Sequence, residues 1–230
     1  MTPRPSPSAP SAPAAPSPPA HADAPTSTPE PWAFSTLCLA SPRLRLRPLR
    51  ADDAPAVYAM HADPVALRYW STPPWSDPQQ ADDMIARDLK AMAAGDFLRL
   101  GLERRCDGAL IGLCTLFAFY LPSRRCEIGY ILRRDCQGQG LMHEALLSLL
   151  DFGFGVLKLN RVEADIDPRN TASRRSLRRL GFVEEGRLRQ RWLVNGEVCD
   201  TALHGLLRSD WLARLAAAVA SSDVSAPQQG

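Results

Sequence analysis

The sequence has 230 residues, of which 45% are hydrophobic and 23% are charged, and its formal net charge at pH 7 is +2. This composition is ordinary for a water-soluble protein with one globular domain and extra segments, or with two small domains. So small a net charge argues against a protein that binds nucleic acid by electrostatic attraction. The sequence also lacks a run of about 18 apolar residues, so we expect no membrane-spanning helix.

The ends of the chain differ in composition from its middle. Proline, alanine and serine dominate the start, which includes SPSAPSAPAAPSPPAHADAPTSTPEP. Dense proline removes backbone donors and blocks helices, so we predict a disordered or polyproline-like tail over residues 1–33. The folded domain is predicted over residues 34–215, and a flexible tail over residues 216–230. The N-terminal tail lacks the continuous apolar stretch of a secretory signal, so we expect a cytoplasmic protein. The six cysteines include no Cys-x-x-Cys pair, so we expect free thiols.

The first predicted element after the tail is a strand, in which leucines alternate with arginines over residues 44–48. A helix capped by Asp52 or Asp53 follows it. A second helix is predicted to begin at Ser76 or the next residue and to end near Gly95, because glycine commonly ends helices. The domain therefore opens with one strand and two helices.

Three strand-like runs come next, with the sequences DFLRLGLERR, ALIGLCTLFAFY and RCEIGYILRRD. Turn residues separate these runs, and each run is too short for a helix, so we predict an antiparallel meander. The third run leads directly into the turn Gln-Gly-Gln-Gly. A helix with one apolar face over residues 142–152 follows the turn.

Four further elements complete the predicted order. They are a strand over about 162–166, a helix opened by Asn170 or Thr171 and closed by Gly181, a hairpin turning at Asn195-Gly196, and a last helix from about Ser209. The order β-α-α-β-β-β-α-β-α-β-β predicts a mixed α/β (α+β) fold with a largely antiparallel sheet and helices on both faces. The two strands that flank the glycine-turn helix should be parallel and joined by a right-handed crossover.

The glycine turn has two interpretations at this point. Gly138 and Gly140 immediately precede a helix, whose first N–H groups lack internal partners and lie at the positive end of the helix dipole. Because glycine lets a ligand approach the backbone, such a turn can hold a phosphate without any lysine. An ordinary turn before an ordinary helix explains the same residues, and short glycine motifs have many false positives.

Four segments, in this order and at this spacing, resemble the GCN5-related N-acetyltransferases. They are a strand ending in Glu-Ile-Gly-Tyr, the turn Gly-Gln-Gly-Leu-Met, the run NRVEADIDPRNTASRRSLRRLGF and the run GEVCDTALHGLLRSDW. Within that family the sequence is most similar to the Rim-type branch, which acetylates the N-termini of ribosomal proteins. The resemblance covers about Leu44 to Trp211, and it implies that the central parallel β-α-β unit binds acetyl-CoA.

The resemblance also implies which residues bind the cofactor. The anion at the glycine turn would be the pyrophosphate of acetyl-CoA, held by backbone N–H groups, and the pantetheine arm would follow the preceding strand. An asparagine at the start of the next helix would reach that arm. The implied cofactor-binding residues are Ile131, Leu132, Arg133, Gln137, Gly138, Gln139, Gly140, Leu141, Met142, Asn170 and Ser173.

Two positions depart from the pattern of the wider family. Asp135 occupies the position, three residues before the first glycine, where a glutamine or arginine is common. Leu177 occupies the position where many members have a tyrosine that protonates the leaving thiolate, although Rim-type members often lack it too. Ser176 and Ser173 are candidate substitutes for that acid, but a serine near a helix N-terminus is more often a cap or a surface residue.

Acetyl transfer requires a neutral amine, so the acceptor has to lose a proton. Glu127 is the candidate general base, acting directly or through a water, because the resemblance places its position near the acceptor amine. The alternative is a surface carboxylate that pairs with Arg124 or Arg125. An α-amine titrates near about 8 and a lysine amine near about 10.4, so an N-terminal amine needs less help from a base.

The sequence therefore predicts an N-acetyltransferase that moves acetyl directly from acetyl-CoA to a primary amine, most similar to Rim-type enzymes. A small-molecule amine acetyltransferase, for an aminoglycoside, polyamine or amino acid, is one alternative, and a non-catalytic CoA-binding module is the other. The expected partners are acetyl-CoA and an amine acceptor, with no nucleic acid and no membrane, and a homodimer is left open. The four scattered histidines indicate no metal site. Tyr69, Trp70 and Trp75 either wall the acceptor site or pack in the core.

Overall fold

The computed structural model describes residues 32–194 and 196–223, so nearly all of the N-terminal tail, Asn195 of the predicted hairpin turn and residues 224–230 lie outside it. Within these residues the order of elements is the predicted one, with a two-residue strand added at the start. The strands are β1 (Leu39–Ala40), β2 (Leu44–Arg47), β3 (Leu98–Arg104), β4 (Leu110–Tyr120), β5 (Arg125–Leu132), β6 (Arg161–Ile166), β7 (Val183–Val194) and β8 (Glu197–Leu207). The helices are α1 (Ala54–His61), α2 (Gln79–Ala94), α3 (Leu141–Gly155), α4 (Thr171–Leu180) and α5 (Arg208–Asp223).

All of these strands form one sheet, in the order β1-β2-β3-β4-β5-β6-β8-β7. Neighbouring strands are antiparallel, except that β5 and β6 are parallel and are connected through α3. The predicted mixed, largely antiparallel α/β fold with a central parallel β-α-β unit is therefore confirmed. β7 and β8 form the predicted hairpin, with Val194 paired to Glu197 across the turn.

The parallel strands β5 and β6 separate after a short contact. Backbone pairing joins residues 125–127 to residues 161–163 and then stops. Beyond that point, and counting only the residues that the structure describes, residues 128–132 of β5 pair with β4 alone and residues 164–166 of β6 pair with β8 alone. The resulting wedge-shaped gap, termed the sheet cleft below, is bordered by two strand edges without a strand partner.

Helices cover both faces of the sheet and enclose two hydrophobic clusters. The cluster beneath α1 and α2 includes Val57 and Ile85. The cluster beneath α3 and α4 includes Leu149 and Leu177. Because side chains alternate along a strand, β5 contributes to both clusters. Within the described residues, no helix combines the length and the apolar character that crossing a membrane requires.

The boundaries of the domain differ from the predicted ones at both ends. Trp32, predicted in the tail, packs its ring against Phe119 with the centroids 5.3 Å apart. Its large apolar ring gains more from burial than the neighbouring prolines and small residues do. At the other end, α5 continues to Asp223, so residues 216–223 are helical instead of a flexible tail. The alanines of this segment favour helix, which explains the extension.

The starts of the first two helices also differ from the predictions. Asp53 does not cap α1 with its side chain. Its carboxylate instead accepts hydrogen bonds from the Arg47 guanidinium and from the Arg50 backbone N–H, each at 2.7 Å. The guanidinium of Arg47 is buried, and a buried charge requires a partner of opposite sign. α2 begins at Gln79, slightly later than Ser76.

Candidate active site

The turn between β5 and α3 has the geometry of an anion-binding site. Gly138 and Gly140 both have φ of +75°, in the left-handed region that favours glycine, and α3 starts directly afterwards. The side chain of Leu141 is buried, and that of Met142 packs against the core, so both are available to a ligand through their backbone. In the described part of the chain, the N–H groups of residues 138–142 donate to no acceptor. Such a row of free donors at a helix N-terminus suits a phosphate.

Side chains on both sides of the turn hold it in this conformation. The side-chain amide of Gln137 donates to the carbonyl of Leu132 at 3.0 Å, and that of Gln139 donates to the carbonyl of Asp135 at 3.0 Å. Arg43, from the connection between β1 and β2, donates to the carbonyl of Gln139 at 3.0 Å. Gln137 and Gln139 therefore shape the turn through their side chains, a role that the sequence did not reveal.

Two carboxylates beside the turn are neutralised by arginines. Arg133 binds Asp135 at 2.6 Å and holds the pKa of that carboxyl below its usual value. Glu144, in the first turn of α3, binds Arg43 at 2.6 Å. Asp135, which departs from the family pattern, is thus compensated before a phosphate arrives, and it does not make the turn repulsive to anions.

The predicted strand for the cofactor arm lies along the sheet cleft. Ile131 lines a pocket that opens there. The carbonyl of Leu132 is occupied by the amide of Gln137, and the N–H of Arg133 donates to the carbonyl of Ile111 at 2.9 Å. The free edge of β5 is therefore confined to residues before Leu132. An extended ligand with amide groups can add to such an edge as a further strand.

Asn170 opens α4, as predicted, and its side chain has a second use. Its Oδ1 accepts a hydrogen bond from the backbone N–H of Ser173 at 3.1 Å, which caps the helix. Its Nδ2 donates to no residue in the described part of the chain. Asn170 and Ser173 both line the pocket that opens into the sheet cleft. The amide N–H group of Asn170 is therefore available to a ligand in the sheet cleft.

These features fit CoA. A Cβ atom placed on Gly138 would meet no atom within 4 Å, so open space faces the donors of the turn. The turn offers backbone donors to a pyrophosphate, and the sheet cleft offers a strand edge to the amides of the pantetheine arm. The donor set is built from main-chain groups, which explains why no lysine is required.

A pocket of about 380 Å³ opens into the sheet cleft. Its walls come from β4, β5, β6, the connection between α1 and α2, and the β7–β8 hairpin. Aromatic rings form much of the surface: Tyr69, Trp70, Phe97, Phe117 and Trp192 all line it. Tyr69 and Trp70 thus line the pocket, as predicted for the acceptor site, whereas no sequence pattern predicted the other three rings there.

Trp75 anchors the pocket wall instead of lining it. Its ring stacks on His61 with the centroids 4.2 Å apart and an angle of 16° between the planes. Nδ1 of His61 donates to the carbonyl of Val57 at 2.9 Å, and burial lowers the pKa of His61, so the ring is neutral near pH 7. This contact packs the α1–α2 connection, which carries Tyr69 and Trp70, against α1.

Glu127 lies where the sheet cleft opens, and it lines the pocket. Arg125, one of its candidate partners, binds Glu163 at 2.9 Å instead. Among the described residues, Glu127 has no ion pair and no side-chain hydrogen bond. Partial burial, followed by the negative charges of Asp165 and Glu163, raises the pKa of Glu127. A raised pKa makes a carboxylate a stronger proton acceptor.

Ser173, one of the two serines predicted as a candidate acid, contacts Tyr130, a residue that the sequence analysis did not select. The Tyr130 hydroxyl on β5 lies 2.6 Å from Oγ of Ser173, within hydrogen-bond distance. Leu177 is completely buried in the cluster beneath α3 and α4. Tyr130 and Ser173 are 43 residues apart in sequence, so no local pattern links them.

Arginines neutralise most of the carboxylates at the pocket mouth. Arg191 binds Asp165 at 2.8 Å. Arg169 binds both Asp167, at 2.6 Å, and Glu197, at 2.5 Å. These contacts join β6, the start of α4 and the β7–β8 hairpin. The hairpin is thereby held against the pocket by charge, and its contribution to the site had no signal in the sequence.

The cysteines near the site do not have the character of nucleophiles. Cys126 and Cys136 are buried, and burial raises the pKa of both thiols. Thiol reactivity follows the thiolate fraction, which is small for such groups at neutral pH. In residues 32–194 and 196–223, no group of histidine, cysteine, aspartate and glutamate side chains is arranged to hold a metal ion.

Comparison with known proteins identifies relatives of the chain. A family model described as an acetyltransferase (GNAT) domain matches residues 43–183. The uncharacterized N-acetyltransferase p20 of Bacillus licheniformis is 34% identical over 74% of this chain and 95% of that protein. The spermidine N(1)-acetyltransferase of Escherichia coli strain K12 is 27% identical over 74% of this chain and 89% of that protein. Among solved structures, Mycobacterium smegmatis RimJ in complex with CoA-disulfide matches with a TM-score of 0.70 and 28% identity, over 79% of this chain and 94% of that one.

Proposed function

Because the chain belongs to the GNAT acetyltransferase family, with acetyl-CoA as its acetyl donor, we propose that its acceptor is the α-amine of a protein N-terminus. Acetyl transfer to an amine follows from the family, so the proposal concerns which amine is used. One observation carries it: the pocket contains a single carboxylate, Glu127, that is partly buried and has no cationic partner among the described residues.

The charge balance of the pocket suits an acceptor with one positive charge. A polyamine has several ammonium groups, and each needs a carboxylate or an aromatic face when it leaves water. Asp165, Asp167 and Glu197 already bind arginines of the protein. Asp200 is exposed on the hairpin and accepts the backbone N–H of Gln190 at 2.8 Å. One amine at Glu127 is the occupant that this arrangement favours.

Arg68 adds a second reason to disfavour a polycation. Its guanidinium lines the pocket and lies 5.4 Å from the centre of the Tyr69 ring. In the described part of the chain it has no carboxylate within ion-pair distance. A free guanidinium repels a second or third ammonium group, but it can donate hydrogen bonds to the backbone carbonyls of a peptide. The Rim-type sequence resemblance supports the same acceptor class.

The chemistry required of the protein is modest for an α-amine. Bound acetyl-CoA supplies an activated acyl group as a thioester. Glu127 accepts the proton that the amine gives up, directly or through a water, and its raised pKa suits that task. The free edge of β5 offers backbone N–H groups to the developing oxyanion. Because an α-amine titrates near about 8, part of it is already neutral at physiological pH.

Spermidine is the second candidate acceptor, because the Escherichia coli enzyme that resembles this chain acts on it. The test is a thiol-release assay with saturating acetyl-CoA and a panel of amines. The panel contains short peptides with free N-termini, the same peptides with a blocked N-terminus and an internal lysine, spermidine, an aminoglycoside and free amino acids. We expect kcat/KM for a free N-terminus to exceed that for spermidine and for the blocked peptide by at least about tenfold. A preference for spermidine or for the blocked peptide would refute the proposal.

A further inference from the structure

We propose that Tyr130 donates the hydrogen bond that stabilises the sulfur of CoA as it leaves, while Ser173 donates to the Tyr130 oxygen. The inference concerns the donor side of the acetyl-transfer reaction. It therefore does not depend on which amine is the acceptor.

The position of Tyr130 in the sheet carries the inference. It lies on β5 beyond the last residue that pairs with β6, and thus on the border of the sheet cleft. Ser173 and Ser176 lie on α4, which covers the face of the sheet toward which Tyr130 points. Tyr130 is three residues after Glu127, so the two side chains point to opposite faces of the sheet. A thioester in the sheet cleft would have the base on one side and the hydroxyl on the other.

The hydrogen-bonding capacity of the Tyr130 and Ser173 hydroxyls supports this direction. A tyrosine hydroxyl has one donor and can accept from its oxygen lone pairs, and a serine hydroxyl also has one donor. Oγ of Ser173 lies 2.6 Å from the Tyr130 hydroxyl, and either oxygen can be the donor. When Ser173 donates to the Tyr130 oxygen, the Tyr130 O–H is left for a third group. Tyr130 and Ser173 both line the pocket, so that third group can be a ligand.

The position where many family members have an acid cannot supply this hydrogen bond. Leu177 has no hydroxyl, and its side chain is completely buried. Arg99, another donor that lines the pocket, is engaged with Asp88 and with Thr115. A hydroxyl from β5 is therefore well placed to take over a task that in other members belongs to α4.

The acidity of Tyr130 defines what it does to the sulfur. Burial raises its pKa to about 12, whereas a thiol has a pKa near about 8.5. Tyr130 therefore keeps its proton and acts as a hydrogen-bond donor, not as an acid that transfers the proton. When the carbon–sulfur bond breaks, the sulfur keeps the electron pair, Tyr130 stabilises the negative charge, and solvent supplies the thiol proton. Hydrogen bonds to charged groups are stronger than those between neutral groups.

The test measures binding and needs no acceptor amine. Affinities for CoA and for desulfo-CoA, which lacks the thiol, are determined by calorimetry at about pH 7 and about pH 9.5, on both sides of the thiol pKa. In the wild-type protein, we expect the preference for CoA over desulfo-CoA to grow about tenfold with pH, because Tyr130 stabilises the thiolate. In Tyr130→Phe we expect this growth to be lost, while the affinity for desulfo-CoA is kept. Using the ratio of two ligands cancels pH effects elsewhere in the site.

Two further variants complete the design. Tyr120→Phe removes an exposed tyrosine hydroxyl at the end of β4 and should behave as the wild type does. Replacing Tyr130 by fluorinated tyrosines, which are more acidic and nearly the same size, should increase the preference for CoA at high pH. The inference is overturned if Tyr130→Phe keeps the pH-dependent preference. If Tyr130→Phe does not fold, an unchanged preference across the fluorinated series overturns it equally.

Discussion

The two ends of the site are built in different ways. The glycine turn is contiguous in sequence, and it offers main-chain N–H groups whose direction is set by two left-handed glycines. The proposed acceptor pocket is assembled from side chains of β4, β5, β6, the α1–α2 connection and the β7–β8 hairpin. A site made of backbone can be kept while side chains vary, whereas a site made of side chains changes with each substitution. This difference fits a common donor and a variable acceptor.

The replacement Glu127→Gln should produce the largest effect, because it removes the proposed proton acceptor from the side-chain half of the site and leaves the glycine turn intact. We expect kcat to fall about 100-fold, at the low end of general-base effects, with no change in acetyl-CoA affinity. Burial and neighbouring carboxylates raise the pKa of Glu127, so wild-type activity should decline with falling pH at a higher pH than an ordinary glutamate would give. A pH–rate profile with saturating acetyl-CoA measures both effects, and the defect should shrink as pH rises toward the amine pKa.

Glu185→Gln is the matched control for that variant. Glu185 lies on β7, binds Arg161 and does not line the pocket. Replacing its carboxylate by the amide of glutamine should therefore leave kcat nearly unchanged. If Glu127→Gln keeps the full rate from about pH 6 to 8, the base is another group, and the pocket side chains are then not the source of general-base catalysis.

Gly138→Val tests the backbone half. A valine at φ of +75° is strained by about 1–2 kcal/mol, so the turn should change conformation and misdirect its donors. We expect the dissociation constant of acetyl-CoA, measured by calorimetry, to rise about tenfold or more, with a small effect on kcat at saturation. Gly108→Val is the control, because Gly108 has φ of +72°, equally open surroundings and a position in the β3–β4 turn. Equal losses of affinity in both variants would show that strain, not phosphate binding, is being measured.

Arg169→Gln should have a smaller effect, on the choice of acceptor alone. It frees the carboxylates of Asp167 and Glu197 at the pocket mouth, which should favour polycations. We expect kcat/KM for spermidine relative to that for a peptide N-terminus to rise a few-fold, a size typical of exposed charges. Arg187→Gln, on β7 and away from the pocket, should leave the ratio unchanged. An unchanged ratio in both variants would remove charge balance as the basis of acceptor choice.

Deleting residues 1–31 should have the smallest effect. Their composition cannot form a core, so we expect unchanged acetyl-CoA affinity and an unchanged melting temperature. A longer deletion, through Phe34, should lower the melting temperature, because Trp32 and the buried Phe34 pack on the hydrophobic cluster. A large loss of affinity on the shorter deletion would show that these residues contribute to the donor site.

The sequence predicted the fold well, and it placed the glycine turn directly before α3. The order of elements, the parallel pair around α3 and the capping role of Asn170 were confirmed, because each follows from local periodicity or from turn chemistry. The glycine turn was recognisable because its residues are consecutive in the sequence; its role in binding the cofactor stays a prediction. The ends of the domain were wrong by several residues, since Trp32 and the α5 extension depend on packing and helix propensity across a change in composition.

The side-chain half could not be predicted in the same way. The contact between Tyr130 and Ser173 joins residues 43 positions apart, and the contact between Arg169 and Glu197 joins residues 28 positions apart. Such contacts depend on how strands and helices are stacked, which local periodicity does not encode. Glu127 was a candidate through resemblance alone, and its lack of a partner among the described residues depends on the fold, in which Arg125 binds Glu163.

The sheet cleft divides the sheet into two parts that are joined by a short stretch of backbone pairing. One part consists of β1 to β5 and the other of β6, β8 and β7, and three residue pairs join β5 to β6. Glu127 lies on the first part and Asp165 on the second, and both line the pocket, so the pocket width would change with the angle between the two parts. A cofactor arm bound between the two parts would hold that angle and fix the pocket width. The acceptor site would then reach its final width only after acetyl-CoA has bound, so the shape of the sheet would favour binding of the donor before the amine.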